Sequence, residues 1–331
     1  MSETKKLLLT ALPVTPEQKQ ALEALGYDID ICPDNQPVPA DIAANAQVIV
    51  CFRLFGSNAL SDFPKLRYVQ SVATGVEALP LKELAKTDIR VGKGKNLYSI
   101  PMAEWTVCRL LEHYKKSRHF AALQREHKWE KASWVDYKSN LEELFGKKVG
   151  ICGTGDIALA LCRLLRGFEV SSIVGMNSDG RPVEGYDACF APHQLCDMVK
   201  DCDIVVSLAP LTPQSEGMFD EKVISCMKQG AVLVSLSRGK LVNTAAVRRG
   251  LESGRLGGAG VDVTDPEPLP PEHRLWRLPA AVVTPHVSGF YHLKETHERI
   301  VDIMVENLKR FQAGEPLKNQ VDFSTGYRKL T

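Results

Sequence analysis

Three polar side chains follow three separate apolar runs of the 331-residue sequence and together suit acid–base chemistry. Arg238 stands in "SLSRGKLVN", Glu267 in "VDVTDPEPLP" and His286 in "VVTPHVSG". An arginine presents a planar pair of donors that fits an α-keto acid. A carboxylate beside a histidine fixes the imidazole tautomer and favours the charged ring, which can then donate a proton near neutral pH.

Each of these residues also has a purely structural interpretation. Arg238 could bind a cluster of backbone carbonyls, Glu267 could be an acidic loop residue before prolines, and His286 could be a satisfied histidine after Pro285. Because all three follow a glycine-rich turn in the same stretch of chain, the joint pattern favours an active site.

The glycine-rich turn lies in "VGICGTGDIALALCRLLRGFEV", residues 149–170. Gly153 allows a tight turn, and Gly155 lets backbone N–H groups approach a pyrophosphate at the N-terminus of a helix. Ala158 takes the place of the third glycine of the pattern, where alanine is accepted. Asp156 puts a negative side chain within the turn, and this would repel a phosphate unless it points away. The sequence predicts a dinucleotide site, with strand-terminating glycines as the structural alternative.

The elements that position these residues alternate between strands and helices. Strand-like runs are "KLLLTAL", "AQVIVCF", "LRYVQSVA", "IRVGKGK", "KVGICG", "SSIVGM", "DIVVSLA", "AVLVSLS", "AGVDV" and "AVVTPH". Helical patterns include "TPEQKQALEALG", "PMAEWTVCRLLEHYKKSRHF" and "HLKETHERIVDIMVENLKRFQAG". This alternation predicts α/β architecture: two doubly wound, Rossmann-like lobes with parallel sheets and a ligand crevice between them.

Composition excludes several classes of protein. A net charge of +1 gives no support for binding nucleic acid or a membrane surface. No run of eighteen apolar residues predicts a transmembrane helix, and "MSETKKLLLTALPV", closed by Pro13, is better interpreted as a first strand than as a signal peptide. We therefore expect a cytoplasmic protein.

The nine cysteines are scattered and include no C-x-x-C pair. Cys189, Cys196 and Cys202, with His193, match no usual zinc pattern, so no metal site is predicted. We interpret the cysteines as small buried hydrophobes in a reducing cytoplasm.

Taken together, these motifs resemble the D-isomer-specific 2-hydroxyacid dehydrogenase family, which includes glyoxylate/hydroxypyruvate reductases and D-3-phosphoglycerate dehydrogenases. The resemblance runs along nearly the whole chain and rests on "SVATGVEALP", "PMAEWTV", "VGICGTGDIA", "DIVVSLAPLTPQSEGMF", "MKQGAVLVSLSRGKLVNTAAV", "GGAGVDVTDPEPLP" and "LWRLPAAVVTPHVSG". Arg238 precedes Glu267 by 29 residues, as the family pattern requires. The resemblance implies an NAD(P)-dependent enzyme that reduces a small 2-keto acid to a D-2-hydroxy acid.

The resemblance also implies residue roles. Arg238 would bind the substrate carboxylate and carbonyl, His286 would be the general acid–base and Glu267 would orient His286. The remaining substrate contacts would come from Arg53, Thr74, Gly75 and Val76. Of these, Arg53 could meet a second anionic group or could be a surface arginine.

Coenzyme contacts are implied along most of the chain. They are Thr74, Gly153, Gly155, Asp156, Ile157, Ala209, Leu236, Ser237, Arg238, Asp262, His286 and Gly289. Among them Asp262 would take the nicotinamide carboxamide. The chain departs from the family at Ala158, at Asp156, where arginine is frequent, and at Glu77, where aspartate is common.

The residues after "SSIVGM" bear on the choice of coenzyme. Asn177 falls where the family's acidic residue would stand, and it carries no charge to repel a 2′-phosphate. Ser178 offers a hydroxyl donor, and Arg181 can pair with the phosphate. Asp179, after a one-residue shift, would return a carboxylate to this rim, and a surface turn without preference is the alternative. We predict NADP over NAD, with Asn177→Asp eroding the preference.

Domain and partner expectations follow from the same resemblance. Residues 1–97 plus 290–331 would form the substrate domain, and residues 98–289 the NAD(P)-binding domain. "PMAEWTVCRLLEHYKKSRHF" has apolar residues on more than one face, and family members usually dimerise here, so we expect a homodimer; an ordinary core helix is the alternative. Two other functions compete: a nucleotide-sensing co-repressor of the same fold, and a formate-dehydrogenase-like enzyme, which has glutamine where Glu267 stands.

Overall fold

The computed structural model describes residues 5–129, 141–289 and 293–323. These form two compact units, one from residues within 1–97 and 290–331 and the other from residues within 98–289. None of the helices in these described ranges is long and apolar enough to cross a membrane.

Strands and helices alternate along both units. The strands are β1 (Lys5–Leu9), β2 (Tyr27–Ile31), β3 (Val48–Cys51), β4 (Tyr68–Ser71), β5 (Arg90–Gly92), β6 (Lys148–Cys152), β7 (Ser172–Met176), β8 (Ala188–Phe190), β9 (Ile204–Ser207), β10 (Ala231–Ser235), β11 (Leu256–Val261) and β12 (Ala281–Val283). The α-helices are α1 (Pro16–Ala24), α2 (Ala40–Ala43), α3 (Leu81–Leu84), α4 (Ser99–Tyr114), α5 (Ser117–Arg125), α6 (Asp156–Gly167), α7 (Leu195–Val199), α8 (Glu221–Cys226), α9 (Thr244–Glu252) and α10 (Lys294–Gln312).

The first unit is built on a five-stranded sheet in the order β2-β1-β3-β4-β5, and every pairing in it is parallel. Helix α10, from the end of the chain, is anchored to this sheet because Asn307 Nδ2 donates to Gln70 Oε1 at 2.9 Å. Gly92 leaves room for that contact, since a Cβ there would lie 2.8 Å from Gln70 Oε1.

The second unit is built on a seven-stranded sheet in the order β12-β11-β10-β9-β6-β7-β8, again with parallel pairings throughout. Strands β9 and β10 are buried along their whole length, as expected for a parallel sheet covered by helices on both faces. The predicted parallel α/β, Rossmann-like class is confirmed.

The structure differs from the predicted elements in two ways. The pattern "PMAEWTVCRLLEHYKKSRHF" predicts one helix, but the structure has two, because Lys116 adopts a left-handed φ of 50° between α4 and α5. Strands β2 and β8 were not predicted. Both lie at an edge of their sheet, where only one neighbouring strand buries them and the apolar signal is weak.

The interpretation of all cysteines as buried thiols is also wrong. Cys196 of α7 and Cys226 of α8 form a disulfide, with their Cα atoms 5.5 Å apart. The two are 30 residues apart in sequence, and they meet because α7 packs beside α8, which cysteine spacing does not reveal. Cys108 is exposed and Cys189 is half-buried, whereas the remaining five are buried. Within the described parts of the chain, no group of three or more His, Cys, Asp or Glu side chains could hold a metal ion.

Candidate active site

The glycine-rich turn joins β6 to α6, and its two glycines are explained differently. Gly153 has a φ of +105°, and a Cβ there would lie 2.8 Å from the carbonyl of Leu208 and 2.9 Å from Ala209 N. Both the backbone conformation and the close approach of the segment after β9 therefore require glycine. Ala158 is 1% exposed, which agrees with a packing role for the third position.

Gly155 is not explained by packing within the protein. It is the N-cap of α6, and a Cβ there would meet nothing within 4 Å. The space beside it lies at the N-terminus of a 12-residue helix, whose first residues are Asp156 and Ile157. The first N–H groups of a helix point toward its N-terminus, and together with the helix dipole they favour an anion at such a position. The turn therefore fits a pyrophosphate.

The turn after β7 is held together by Asn177, which is 8% exposed. Its Nδ2 donates to Arg181 O at 2.8 Å, and its Oδ1 accepts from Gly180 N at 2.7 Å and Asp179 N at 3.3 Å. The amide thus has backbone partners inside the turn. An Asn177→Asp substitution would put a carboxylate oxygen against the Arg181 carbonyl, so it would disturb the turn itself.

The exposed side chains of this turn converge. Arg181 Nη1 lies 2.7 Å from Asp179 Oδ1 and 3.5 Å from Ser178 Oγ. Partial desolvation raises the pKa of Asp179, but hydrogen bonds from the Arg181 backbone and guanidinium outweigh it and hold that pKa below its usual value. Asp179 is therefore a carboxylate at neutral pH, paired with Arg181.

Tyr186, which is not among the sequence-predicted site residues, packs beside the glycine-rich turn. A Cβ at Gly175, the fourth of the five residues of β7, would lie 2.7 Å from the Tyr186 ring and 3.1 Å from Thr154 Cγ2. The Tyr186 hydroxyl donates to Gly153 O at 3.4 Å, and burial raises the pKa of this phenol. The available signal was the glycine inside an otherwise apolar strand.

Arg238 lies in the loop after β10. Leu236 is 1% exposed, and Arg238 Nη1 donates to Ser237 O at 2.8 Å. A Cβ at Gly239 would lie 1.8 Å from Thr264 O, so only glycine lets this loop touch the loop after β11. The close approach brings the segment that carries Arg238 beside the segment that leads to Glu267.

Glu267 and His286 form a direct pair. His286 Nδ1 lies 2.8 Å from Glu267 Oε1, and the two side chains are 37% and 45% exposed. Because an ionised carboxylate only accepts hydrogen bonds, Nδ1 carries the proton of this contact and Nε2 is the nitrogen available to a substrate. His286 has a φ of 55°, an uncommon conformation for a residue other than glycine.

Asp262 fixes the loop that carries His286. This aspartate is 1% exposed, and it accepts hydrogen bonds from the Thr284 hydroxyl, from Val287 N at 3.0 Å and from Ser288 N at 2.9 Å. Its backbone carbonyl accepts from His286 N at 2.8 Å. Ser288 N donates to Oδ2 of Asp262, and this oxygen can accept a second hydrogen bond, for example from a carboxamide N–H.

Four buried hydroxyl groups at the carboxyl edge of this sheet lack a hydrogen-bond partner among the described residues. They belong to Ser207, Ser235, Ser237 and Ser288. The first two end the paired strands β9 and β10, and the others follow β10 and β12. Buried polar groups are normally satisfied, so these hydroxyls fit a polar ligand at this edge. With the space at Gly155, they fit a dinucleotide.

Gly289, another implied coenzyme contact, has a packing explanation. A Cβ at this position would lie 2.8 Å from Met102 Sδ of α4. Met102 is itself buried.

The implied substrate residues of the first unit share one edge of its sheet. Arg53 follows β3 and Thr74–Val76 follows β4, and these strands pair in parallel up to Cys51 and Ser71. Asp34 accepts hydrogen bonds from the backbone N–H groups of Phe52 and Arg53, which fixes the chain there.

Comparison with known proteins gives a family for this chain. Residues 107–288 match the family model described as D-isomer specific 2-hydroxyacid dehydrogenase, NAD binding domain. A glyoxylate reductase of Korarchaeum cryptofilum (strain OPF8) is 31% identical over 259 residues, which cover 78% of this chain and 77% of that protein.

Solved structures give the same result. A D-isomer specific 2-hydroxyacid dehydrogenase family protein from Aeromonas salmonicida subsp. salmonicida A449 is 25% identical with a TM-score of 0.83, covering 97% of this chain and 100% of that one. The NADPH-dependent glyoxylate/hydroxypyruvate reductase of Sinorhizobium meliloti, solved with NADP and sulfate, is 26% identical with a TM-score of 0.76, covering 98% and 100%.

The two glycines of the turn give a matched test of coenzyme binding. Gly153→Ala should lower the free energy of unfolding by about 2–5 kcal/mol, because it combines a left-handed conformation with a backbone clash. Gly155→Ala should leave Tm unchanged and weaken coenzyme binding roughly tenfold, since its Cβ would enter only the ligand space. Thermal unfolding and fluorescence titration with NADPH and NADH measure the two effects. Unchanged coenzyme affinity in the Gly155→Ala variant would contradict the assignment.

Proposed function

The chain belongs to the D-isomer-specific 2-hydroxyacid dehydrogenase family, and on that premise we propose that it reduces a small 2-keto acid to the D-2-hydroxy acid with NAD(P)H. The observation that carries the proposal is the 2.8 Å contact between His286 Nδ1 and Glu267 Oε1. This pair lies in the same unit as the pyrophosphate-fitting turn, and both follow strands of one parallel sheet. Ligands of open α/β sheets bind at that edge.

In this mechanism His286 is the general acid–base. When bound, the nicotinamide coenzyme supplies a hydride to the carbonyl carbon of the substrate. The Glu267 carboxylate holds the Nδ1 proton, so that His286 Nε2 delivers a proton to the carbonyl oxygen as negative charge develops there. In the opposite direction Nε2 accepts that proton. Asp262 holds the loop, and thereby the imidazole, in position.

Arg238 and the first unit bind the substrate in this proposal. The Arg238 guanidinium offers two parallel donors to the carboxylate and carbonyl oxygens. The backbone of Thr74–Val76 holds the carboxylate, and Arg53 meets a second anionic group where the substrate has one. Residues 98–289 thus act as the NAD(P)-binding domain, and residues 1–97 with 290–331 as the substrate domain.

The coenzyme contacts proposed here lie along the carboxyl edge of the seven-stranded sheet. The Gly155 turn binds the pyrophosphate, and Ser178 and Arg181 contact the adenosine ribose. Asp262 Oδ2 accepts a hydrogen bond from the nicotinamide carboxamide. We propose that NADPH is preferred over NADH, because Arg181 and Ser178 stand at the end of β7 and arginine favours a phosphate. The similar reductase of Sinorhizobium meliloti is NADPH-dependent.

The catalytic proposal predicts distinct defects in three variants. His286→Ala should lower kcat about 10²- to 10⁴-fold, since proton transfer typically contributes that much. Glu267→Gln should lower kcat less, because the amide still contacts Nδ1 without stabilising the charged ring. Arg238→Lys should also raise KM, since an ammonium cannot reproduce a two-pronged contact.

These variants are measured by NADPH and NADH oxidation on glyoxylate, hydroxypyruvate, pyruvate, phenylpyruvate and 2-ketoisocaproate. His193→Ala is the control, because His193 is an exposed histidine of the same unit. Near-normal turnover by His286→Ala on the best substrate would contradict the proposed mechanism.

Coenzyme preference is tested by kcat/KM for NADPH and NADH at saturating keto acid. The wild type should favour NADPH, and Arg181→Ala should lose most of that preference. Arg166→Ala, which breaks a comparable exposed ion pair with Asp187 at 2.6 Å, is the control and should change neither value. A wild-type enzyme that clearly favours NADH would refute the preference.

We further propose a homodimer formed through α4 and α5. Ile100 of α4 is 46% exposed and Trp129, just after α5, is 89% exposed, so a single chain leaves large apolar side chains in water here. Sedimentation equilibrium at micromolar concentration should give twice the 36.6 kDa chain mass, and Ile100→Glu should shift it toward the monomer. A wild-type monomer would rule the dimer out.

A further inference from the structure

In the turn after β7, the carboxylate of Asp179 is bound to the guanidinium of Arg181. Asn177 closes the turn through its backbone partners, so the positions of Asp179 and Arg181 are set by the turn. Asp179 Oδ1 then accepts from both the backbone N–H of Arg181, at 3.3 Å, and its guanidinium Nη1, at 2.7 Å. The guanidinium is thus held over the turn by an internal carboxylate, with the Ser178 hydroxyl 3.5 Å away.

A carboxylate and a phosphate bind the same donors of arginine, because both present oxygen pairs that match the guanidinium fork. We propose that Asp179 is a coenzyme-specificity residue: its carboxylate occupies Arg181 in place of the 2′-phosphate of NADPH, which must displace it to bind. This inference rests on the proposed NADPH preference. It adds Asp179 as a residue that reduces that preference.

The exchange has a different consequence for each coenzyme. With NADH, Arg181 keeps its partner Asp179, and no charge is left unpaired on the turn. With NADPH, the 2′-phosphate takes the guanidinium and leaves the Asp179 carboxylate in water, near a second negative group. The Arg181 and Asp179 side chains are 46% and 57% exposed, so water screens both states and the exchange costs little. Because only NADPH bears this small cost, Asp179 reduces the difference in affinity between NADPH and NADH.

The test uses adenosine fragments, which report binding without catalysis. Isothermal titration calorimetry on the full chain compares 2′,5′-ADP, which carries the 2′-phosphate, with 5′-AMP, which lacks it. Asp179→Asn keeps an oxygen that can accept from the Arg181 backbone but removes the charge. It should tighten binding of 2′,5′-ADP by roughly two- to fivefold, the range of exposed ion pairs, and leave 5′-AMP unchanged. Thermal unfolding should be unchanged.

Two further variants separate the possible causes. In an Arg181→Ala background, Asp179→Asn should have a much smaller effect, because there is no guanidinium to release. Asp197→Asn is the matched control: it removes one exposed carboxylate of α7, which is paired with Lys200 at 3.1 Å, and should change neither affinity.

The remaining outcomes separate the proposed competition for Arg181 from the proposed NADPH preference. If Asp179→Asn tightens 2′,5′-ADP binding just as much in the Arg181→Ala background, Asp179 acts by repelling the phosphate directly. The proposed competition for Arg181 would then be wrong. Unchanged 2′,5′-ADP binding in the Asp179→Asn variant of the wild type would also overturn the proposed competition. If Arg181→Ala then still loses 2′,5′-ADP binding, the proposed NADPH preference stands without it. If wild type and Arg181→Ala both bind the two fragments equally, the preference and the inference fail together.

Discussion

The position of His286 depends on one buried carboxylate. Asp262 directly follows β11, is 1% exposed, and receives the Thr284 hydroxyl and two backbone N–H groups. A carboxylate removed from water is stable only where donors surround it. The chain after β12 must therefore fold back over the end of β11. That fold sets the imidazole of His286 against Glu267.

Helix α4 supports the same strand from one face. A Cβ at Gly258 would lie 2.3 Å from His113 Nδ1, and one at Gly260 would lie 3.1 Å from Arg109 Cβ, so the glycines of β11 let α4 lie directly on it. Burial lowers the pKa of His113 to about 4, and its ring is therefore neutral at pH 7 and packs as an uncharged group. The loop that carries His286 ends at Gly289, against Met102 of that helix. Strand, loop and helix thus fix one another.

The sequence predicts the fold because apolar runs alternate with helical patterns, and the two parallel sheets confirm this class. Features that depend on contacts between distant residues were not predictable in the same way. The Cys196–Cys226 disulfide requires α7 beside α8, and the break at Lys116 is a single backbone angle inside a continuous helical pattern. At the site, residue types and strand ends sufficed to select Glu267 and His286, which the structure places in contact. Their chemical roles stay predictions.

The role of Asn177 in its turn shows this limit of sequence analysis more sharply. Its partners are backbone atoms two to four residues further on, and such bonds follow from the turn conformation rather than from hydrophobic periodicity. Because this turn closes on its own backbone, the exposed side chains of Ser178, Asp179 and Arg181 can change without disturbing the sheet. The loop that carries His286 has no such freedom, since removal of the Asp262 carboxylate would leave buried donors unpaired. If this turn binds the adenosine ribose as proposed, substitutions there can alter coenzyme preference without moving His286, whose loop is fixed by the buried Asp262.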